Sequence, residues 1–170
     1  MLSFNEALKL LKSSCQANVV KHCLMVSKKS YELGKLIESN KAKIDVELCR
    51  VGGLLHDIGR SKTHDLKHGI IGAEMLKDHP LLSRIAKTHI GGGIPKLEAK
   101  ELGLGNQDLI PESIEEKVVC YADKLVQGDK FADDASDEIR KLEDKLGKSH
   151  GSIKRLMVIE DEINKLVKRL

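Results

Sequence analysis

The segment Val51-Gly52-Gly53-Leu54-Leu55-His56-Asp57-Ile58-Gly59 constrains this chain more than any other. Its first five residues leave a helix no polar face, and a helix that is apolar on every side is buried. An imidazole and a carboxylate then follow in the same run. Unpaired charge in an apolar interior is costly, and pairing or metal coordination relieves that cost. Adjacent helical residues point about 100° apart, so His56 and Asp57 reach one ion only near a helix end. Gly59 supplies that end as a C-terminal stop. On the dipeptide alone, a hydrogen bond from His56 to Asp57 or to a neighbouring carbonyl stands as an alternative. The paired glycines each cost a helix about 1 kcal/mol relative to alanine, and they predict close approach by another backbone.

The rest of the chain reads as helical. Ser3 and Glu6 have capping-box spacing, and Ala7, Leu8 and Leu11 continue that helix. A long helix from about Gln16 to Ser39 places Val19, Val20, Cys23, Val26, Leu33 and Ile37 near a helical period and leaves through Asn40 and Lys41. Asp45 caps the helix from Val46 to about Ile58. A polar loop over 60–67 leads to a helix from about His68 to Lys77. Pro80 opens another to about His89, which Gly91–Gly93 breaks. Pro95 to Gly103 is a further helical segment, and 104–112 is loop. Ser113 and Glu116 repeat the capping-box spacing before Val118, Val119, Ala122 and Leu125. Two amphipathic helices follow. One carries Ile139, Leu142 and Leu146; the other carries Ile153, Leu156, Ile159, Ile163, Leu166 and Leu170. Gly147 and Gly151 separate them. No strand and no repeat is expected. An all-α fold follows, as a single domain over 1–170 with a motif core at about 16–130 and closing helices at 136–170. A chain of 170 residues suits one hydrophobic core.

Composition excludes several classes of function. Net charge is only +3, from 29 basic and 26 acidic residues that alternate along the chain, and no general nucleic-acid binding is expected. Phe4, Tyr31, Tyr121 and Phe131 are the only aromatic residues, too few for a base-stacking platform. Cys15, Cys23, Cys49 and Cys120 form no Cys-x-x-Cys pair, which argues against a thiolate zinc site and for reduced, packed thiols. The N-terminus opens in a helical pattern rather than a secretory signal, and no apolar run nears the ~20 residues of a membrane span. The expectation is a cytoplasmic protein without a membrane partner.

Other polar residues sit in apolar surroundings. His22 lies between Val20 and Cys23, and Asp123 follows Val118-Val119-Cys120-Tyr121-Ala122. Singly, each is satisfied by an ordinary hydrogen bond. Together with His56 and Asp57 they offer two imidazoles and two carboxylates, a set that suits a divalent transition metal with open positions. His68 and His89 stand at helix ends and can hold a second ion if Asp57 bridges. His64, His79 and His150 are expected at the surface.

These residues resemble the H…HD…D signature of the HD-domain phosphohydrolases. His56-Asp57-Ile58-Gly59 looks like its HDIG variant, and His68 with Gly72-Ala73-Glu74, together with His89, resembles the extra histidines of the binuclear branch. The likeness covers about residues 16–130. It implies an all-α HD-type helical bundle binding two divalent transition metal ions, iron or manganese. The implied reaction is hydrolysis of a phosphomonoester or phosphodiester of a nucleotide-like small molecule, with 2′,3′-cyclic phosphates such as dihydroneopterin cyclic phosphate as a candidate class. The Gly-Tyr-Pro extension of the cyclic-di-GMP branch is not evident, so that substrate is not expected.

On this resemblance His22, His56, Asp57 and Asp123 hold the first ion, and His68 and His89 hold the second with Asp57 bridging. Coordination lowers the pKa of bound water from ~15.7 to about 7, so a metal-bound hydroxide is the expected nucleophile. Asp57 and Arg60 are the catalytic candidates. Arg60 and Lys62 are the first phosphate contacts, with Lys87, Lys96 and Lys124 after them. The Gly91–Gly93 loop either offers N–H groups to an anion or simply stops a helix. Two other readings stand: a non-catalytic HD nucleotide-binding module and a di-iron HD oxygenase. Homo-oligomerisation through the closing helix stays open.

Overall fold

The computed structural model describes residues 2–168. Leu170, expected on the apolar face of the closing helix, lies outside them. The described residues form nine α-helices and one two-stranded hairpin. Ser3 and Glu6 make the full capping box of α1 (Phe4–Ser14), with side chain and backbone bonded in both directions. The long helix α2 (Ala17–Ser39) turns at Lys41, which takes φ 62°, and the chain returns as α3 (Val46–Leu55) under the Asp45 cap.

Small residues let α2 and α3 lie side by side in opposite directions. Cys23, Ser27, Ser30 and Gly34 form one buried stripe on α2. A Cβ on Gly53 would sit 3.0 Å from the Ser27 Cα, and one on Gly34 would touch Val46 at 3.4 Å. Ser27 also donates to the Arg50 carbonyl at 2.7 Å. Gly53 therefore meets the expected backbone. Gly52 does not: its added Cβ would meet the Ile85 Cδ1 at 2.5 Å. Gly52→Ala should cost about 1–3 kcal/mol, as overpacking against a movable side chain does, and urea denaturation would measure it.

Helix α3 ends at Leu55, earlier than expected, and a 3-10 turn takes over at Ile58–Ser61. Gly59 is not a left-handed stop. It is buried beneath α4 (His68–Met75), where an added Cβ would fall 1.9 Å from the His68 carbonyl oxygen. The chain continues through α5 (Pro80–Thr88), α6 (Lys96–Glu101) and α7 (Ile114–Leu125). Ser113 caps α7 by accepting from the Glu116 N–H, but Glu116 does not complete a capping box. Its carboxylate is buried and accepts instead from Arg84, Thr88 and the Glu112 N–H.

No strand was expected, yet β1 (Val126–Gln127) pairs with β2 (Lys130–Phe131) around Gly128, which takes φ 62°. Two residues per strand are too few to leave an alternating pattern. Helix α8 (Ser136–Leu146) buries none of its residues, and Leu146 is exposed. Helix α9 begins at Gly151, so that glycine opens the helix rather than separating it, and α9 runs to Val167. Ile153, Leu156, Ile159 and Ile163 bury its inner face.

One core joins α1, α2, α3, α5, α7 and α9, and a smaller cluster of Ile94, Ala99, Leu104 and Leu109 sits under α6. All four cysteines are free thiols, and Cys23, Cys49 and Cys120 are buried. Burial pushes the Cys120 thiol up to about 11, so in the native protein a maleimide should label Cys15 before the others, which mass spectrometry would read. No helix among the described residues is long and apolar enough to cross a membrane.

Candidate metal centre

Four helices and the end of α3 bring the candidate ligands to one point. His22 comes from the middle of α2 and Asp123 from the last turn of α7. His56 caps the C-terminus of α3, and Asp57 follows it at the start of the 3-10 turn. His68 opens α4 and His89 caps α5. The change from α to 3-10 geometry lets adjacent His56 and Asp57 face a common centre.

His22 Nε2 lies 2.9 Å from Asp123 Oδ1, and His56 Nε2 lies 3.4 Å from the same oxygen. Asp57 Oδ2 is 3.7 Å from His56 Nε2 and 3.9 Å from His22 Nε2. Asp57 Oδ1 turns the other way, 3.1 Å from His68 Nε2 and 3.3 Å from His89 Nε2. Asp57 thus stands between two pairs of imidazoles. His22, His56 and Asp123 form one group able to hold an ion, and His56, Asp57 and His89 form another, with the ligand atoms of each group within 4.8 Å of one another.

Three of the four imidazoles are oriented in the same way. Nδ1 of His56, His68 and His89 meets the carbonyl of Gly53, Asp65 and Ala86, at 2.8, 2.6 and 2.8 Å. A carbonyl can only accept, so each Nδ1 donates. In the neutral ring Nε2 is then left with a bare lone pair, the arrangement usual for metal-ligating histidines. His68 Nε2 and His89 Nε2 face each other at 3.2 Å, and two lone pairs that close need a proton or a metal between them. The alternative reading of His56, bonding to a carbonyl, is therefore correct for its outer nitrogen and leaves the inner one available.

The electrostatics fit a cation. His56 Nε2 and Asp57 Oδ1 are buried atoms without a hydrogen-bond partner, a condition that coordination relieves. Burial pushes the Asp57 carboxyl up, but His56, His68 and His89 overcome that and hold it well below the usual carboxylate range. Burial likewise opposes ionisation of Asp123, and Lys124 with His22 and His56 overcomes it. Burial pushes the His89 imidazole down to about 4, so it stays neutral, as a ligand must, at ordinary pH. The residues present suit one or two divalent ions held by His22, His56, Asp57, His68, His89 and Asp123.

The cationic candidates part company. Arg60 Nε bonds Asp57 Oδ2 at 2.5 Å, and its guanidinium reaches the His64 carbonyl at 3.4 Å. Lys124 Nζ bonds Asp123 Oδ2 at 2.6 Å and the His89 carbonyl at 3.3 Å. Lys124 so ties the last turn of α7 to the end of α5. Lys124→Met should weaken metal binding by about 10–100-fold, the usual cost of losing a partner behind a ligand, and calorimetric titration with Mn2+ would show it. Lys62 and Lys96 are exposed. Lys87 is not brought to the cluster: it bonds Gln107 at 2.6 Å and lines a hollow with Ile70, Glu74 and Pro80.

Two openings reach the centre. A hollow of about 300 Å3 is lined by Asn18, His22, Asp57, Arg60 and His64. A cleft of about 560 Å3 runs from Arg60, His68, His89, Asp123 and Lys124 to α6 and α8. His150, expected at the surface, lines this cleft half-buried and caps α9 by accepting from the Ser152 N–H. Glu98, Glu138 and Leu142 line it too and were not anticipated. The row Glu138, Leu142, Leu146 at helical spacing carried the only available signal. The Gly91–Gly93 loop is shaped by packing. Gly92 presses on α9, where a Cβ would fall 2.5 Å from the Leu156 nitrogen, and Arg155 donates to the Gly93 carbonyl at 2.9 Å.

Comparison with known proteins agrees with this geometry. The family described as HD domain matches residues 19–127. An uncharacterized protein of Methanocaldococcus jannaschii is 50% identical, covering 98% of this chain and 100% of its own. A Picrophilus torridus protein named tRNA (cytidine(56)-2′-O)-methyltransferase is 33% identical over 97% of this chain, which spans only 47% of that protein. A Wolinella succinogenes protein named ribonuclease Y is 38% identical over 48% of this chain and 13% of its own length. No solved structure matches. With an HD-domain match over residues 19–127 that takes in all six clustered candidate residues, the chain belongs to the HD-domain family.

Proposed function

We propose that this protein is a metal-dependent phosphohydrolase that cleaves a phosphomonoester or phosphodiester of a nucleotide-like small molecule. The observation that carries the reading is the set of three Nδ1-anchored imidazoles converging on both oxygens of Asp57. Asp57 with the five residues around it would suit two ions, iron or manganese. Bound there, such ions supply Lewis acidity and a water of lowered pKa.

The chain's own residues do the rest. The carbonyls of Gly53, Asp65 and Ala86 fix the imidazole planes. Lys124 fixes Asp123. Arg60 and Lys124 line the cleft beside the cluster, where their charge orients a phosphoryl group and meets the negative charge that grows on it. Arg60 lines both openings, so a phosphate entering from either side meets its guanidinium. No side-chain nucleophile is needed. The second reading, a non-catalytic HD module, is favoured by the relative named for methyl transfer rather than hydrolysis.

Protein purified without chelator or oxygen should hold about two ions per chain by elemental analysis, as a two-metal hydrolytic site requires. It should hydrolyse p-nitrophenyl phosphate or its bis ester, lose that activity to EDTA, and regain it with Mn2+ or Fe2+. Phosphate-ester binding without turnover would favour the module. Absence of metal after reconstitution would overturn the hydrolase.

A further inference from the structure

Helix α9 has a second face that the core does not use. Ile153, Leu156, Ile159 and Ile163 turn inward. Lys154, Met157, Val158, Asp161 and Lys165 fall at i, i+3, i+4, i+7 and i+11, which is one face of a helix, and all five are exposed. Charged residues on such a face are ordinary. Met157 and Val158 are not: they lie side by side at the middle of the helix, 53% and 58% exposed. Apolar residues scattered singly over a surface are normal, whereas an adjacent pair beside further apolar surface marks an interaction site.

That further surface is a groove of about 280 Å3 along the same flank of α9. Ile110, Pro111, Val158 and Ile159 supply its apolar lining, and Lys154 stands at its edge. The ion pairs of α9 among the described residues are Lys117–Glu162, Arg155–Glu98 and Lys165–Asp161, and Lys154 has none.

The order of the outer row decides what fits it. Lys154, Met157, Val158 and Asp161 read cation, apolar, apolar, anion. Turned end for end, the same row reads anion, apolar, apolar, cation. We propose that the outer face of α9 is a homodimer contact, on which a second copy of this chain lays its own α9 antiparallel about a two-fold axis passing midway between Met157 and Val158. Lys154 then faces the partner's Asp161, Asp161 faces the partner's Lys154, and Val158 faces the partner's Met157. A two-fold contact requires this self-complementarity, with residue i meeting j and j meeting i. Methionine is a flexible apolar side chain suited to filling a gap, and the partner's Met157 enters the groove beside Val158. A parallel copy would set Lys154 against the partner's Lys154 and Asp161 against the partner's Asp161, which like-charge repulsion opposes. The contact does not depend on the reaction catalysed, since none of Lys154, Met157, Val158 and Asp161 lines either opening to the metal centre.

Sedimentation of the full-length protein over a wide range of concentration tests the contact. The parent should pass from monomer to dimer as concentration rises, and added salt should move that transition to higher concentration, because salt screens exposed charge pairs. Val158→Glu sets a carboxylate beside the axis on both copies and should leave a monomer. Lys154→Glu and Asp161→Lys should each weaken the dimer by about tenfold, because each turns two weak attractions into two weak repulsions. The two changes together set opposite charges face to face again and should bring the dimer back. Helix content by circular dichroism should stay that of the parent throughout, and recovery in the double variant excludes damage to the fold as the cause of the single losses. A parent that stays monomeric up to about 1 mM, where even micromolar contacts are saturated, overturns the contact. So does a dimer that Val158→Glu leaves intact, including one that Leu146→Glu on α8 breaks instead. A double variant as weak as either single overturns it too.

Discussion

Asp57→Ala is expected to abolish metal uptake and hydrolysis together. One carboxylate serves both halves of the cluster, with Oδ2 facing His22 and His56 and Oδ1 facing His68 and His89. Loss of a group that only orients a ligand costs about 10–100-fold in metal affinity, and loss of the carboxylate that would serve both imidazole pairs should exceed that range. The variant also leaves the Arg60 guanidinium without its carboxylate partner. Elemental analysis and turnover of p-nitrophenyl phosphate on the same preparation give the result. Asp57→Asn keeps the shape while removing the charge, so a folded but metal-free Asn variant separates the loss of a ligand from the loss of a fold. Full metal content and full activity in Asp57→Ala would falsify the hydrolase reading.

Gly59→Ala should be the most damaging single-methyl change in the chain. Its Cβ would fall 1.9 Å from the His68 carbonyl oxygen and 2.6 Å from the Gly72 nitrogen. Both are backbone atoms of α4, so the clash cannot be relieved by turning a side chain. Relief requires α4 to move, and α4 begins with His68. A loss of more than about 4 kcal/mol is expected, at the exceptional end for point mutations, against about 1–3 kcal/mol for overpacking at Gly52. Urea denaturation of both variants tests the order. If the Gly59 variant folds, it should bind metal more weakly because His68 has shifted. A variant as stable as the parent would mean that α4 does not pack here.

The convergence of His22, His56, Asp57 and Asp123 was legible because each is a titratable side chain in an apolar run, which physics seldom leaves without a reason; His68 and His89 were read from helix ends and from the family resemblance. The long helices were legible from period and caps, including the box at Ser3 and Glu6. What escaped the sequence lay in contacts between distant segments. The spacing of Ser113 and Glu116 suggested a second reciprocal box, but Arg84 and Thr88, far away in the chain, take Glu116 instead. Gly59 read as a stop because helices often end in glycine; only the position of α4 shows that it is a contact. Lys87, a secondary phosphate-contact candidate, stands two residues before His89 on the same helix and so faces another side, where it bonds Gln107. The cleft against α8 escaped because Leu142 and Leu146 read as the buried face of an amphipathic helix, whereas they line the cleft and Leu146 is exposed.

Gly92 and Gly93 rest against α9, and Arg155 of that helix holds the loop that leaves His89. A ribosome makes every clustered imidazole and carboxylate well before it makes α9. Domains generally fold as units, so during synthesis the second pair of imidazoles is present before it has its backing. A chain released before α9 is complete therefore has His89 and the loop that follows it without their backing.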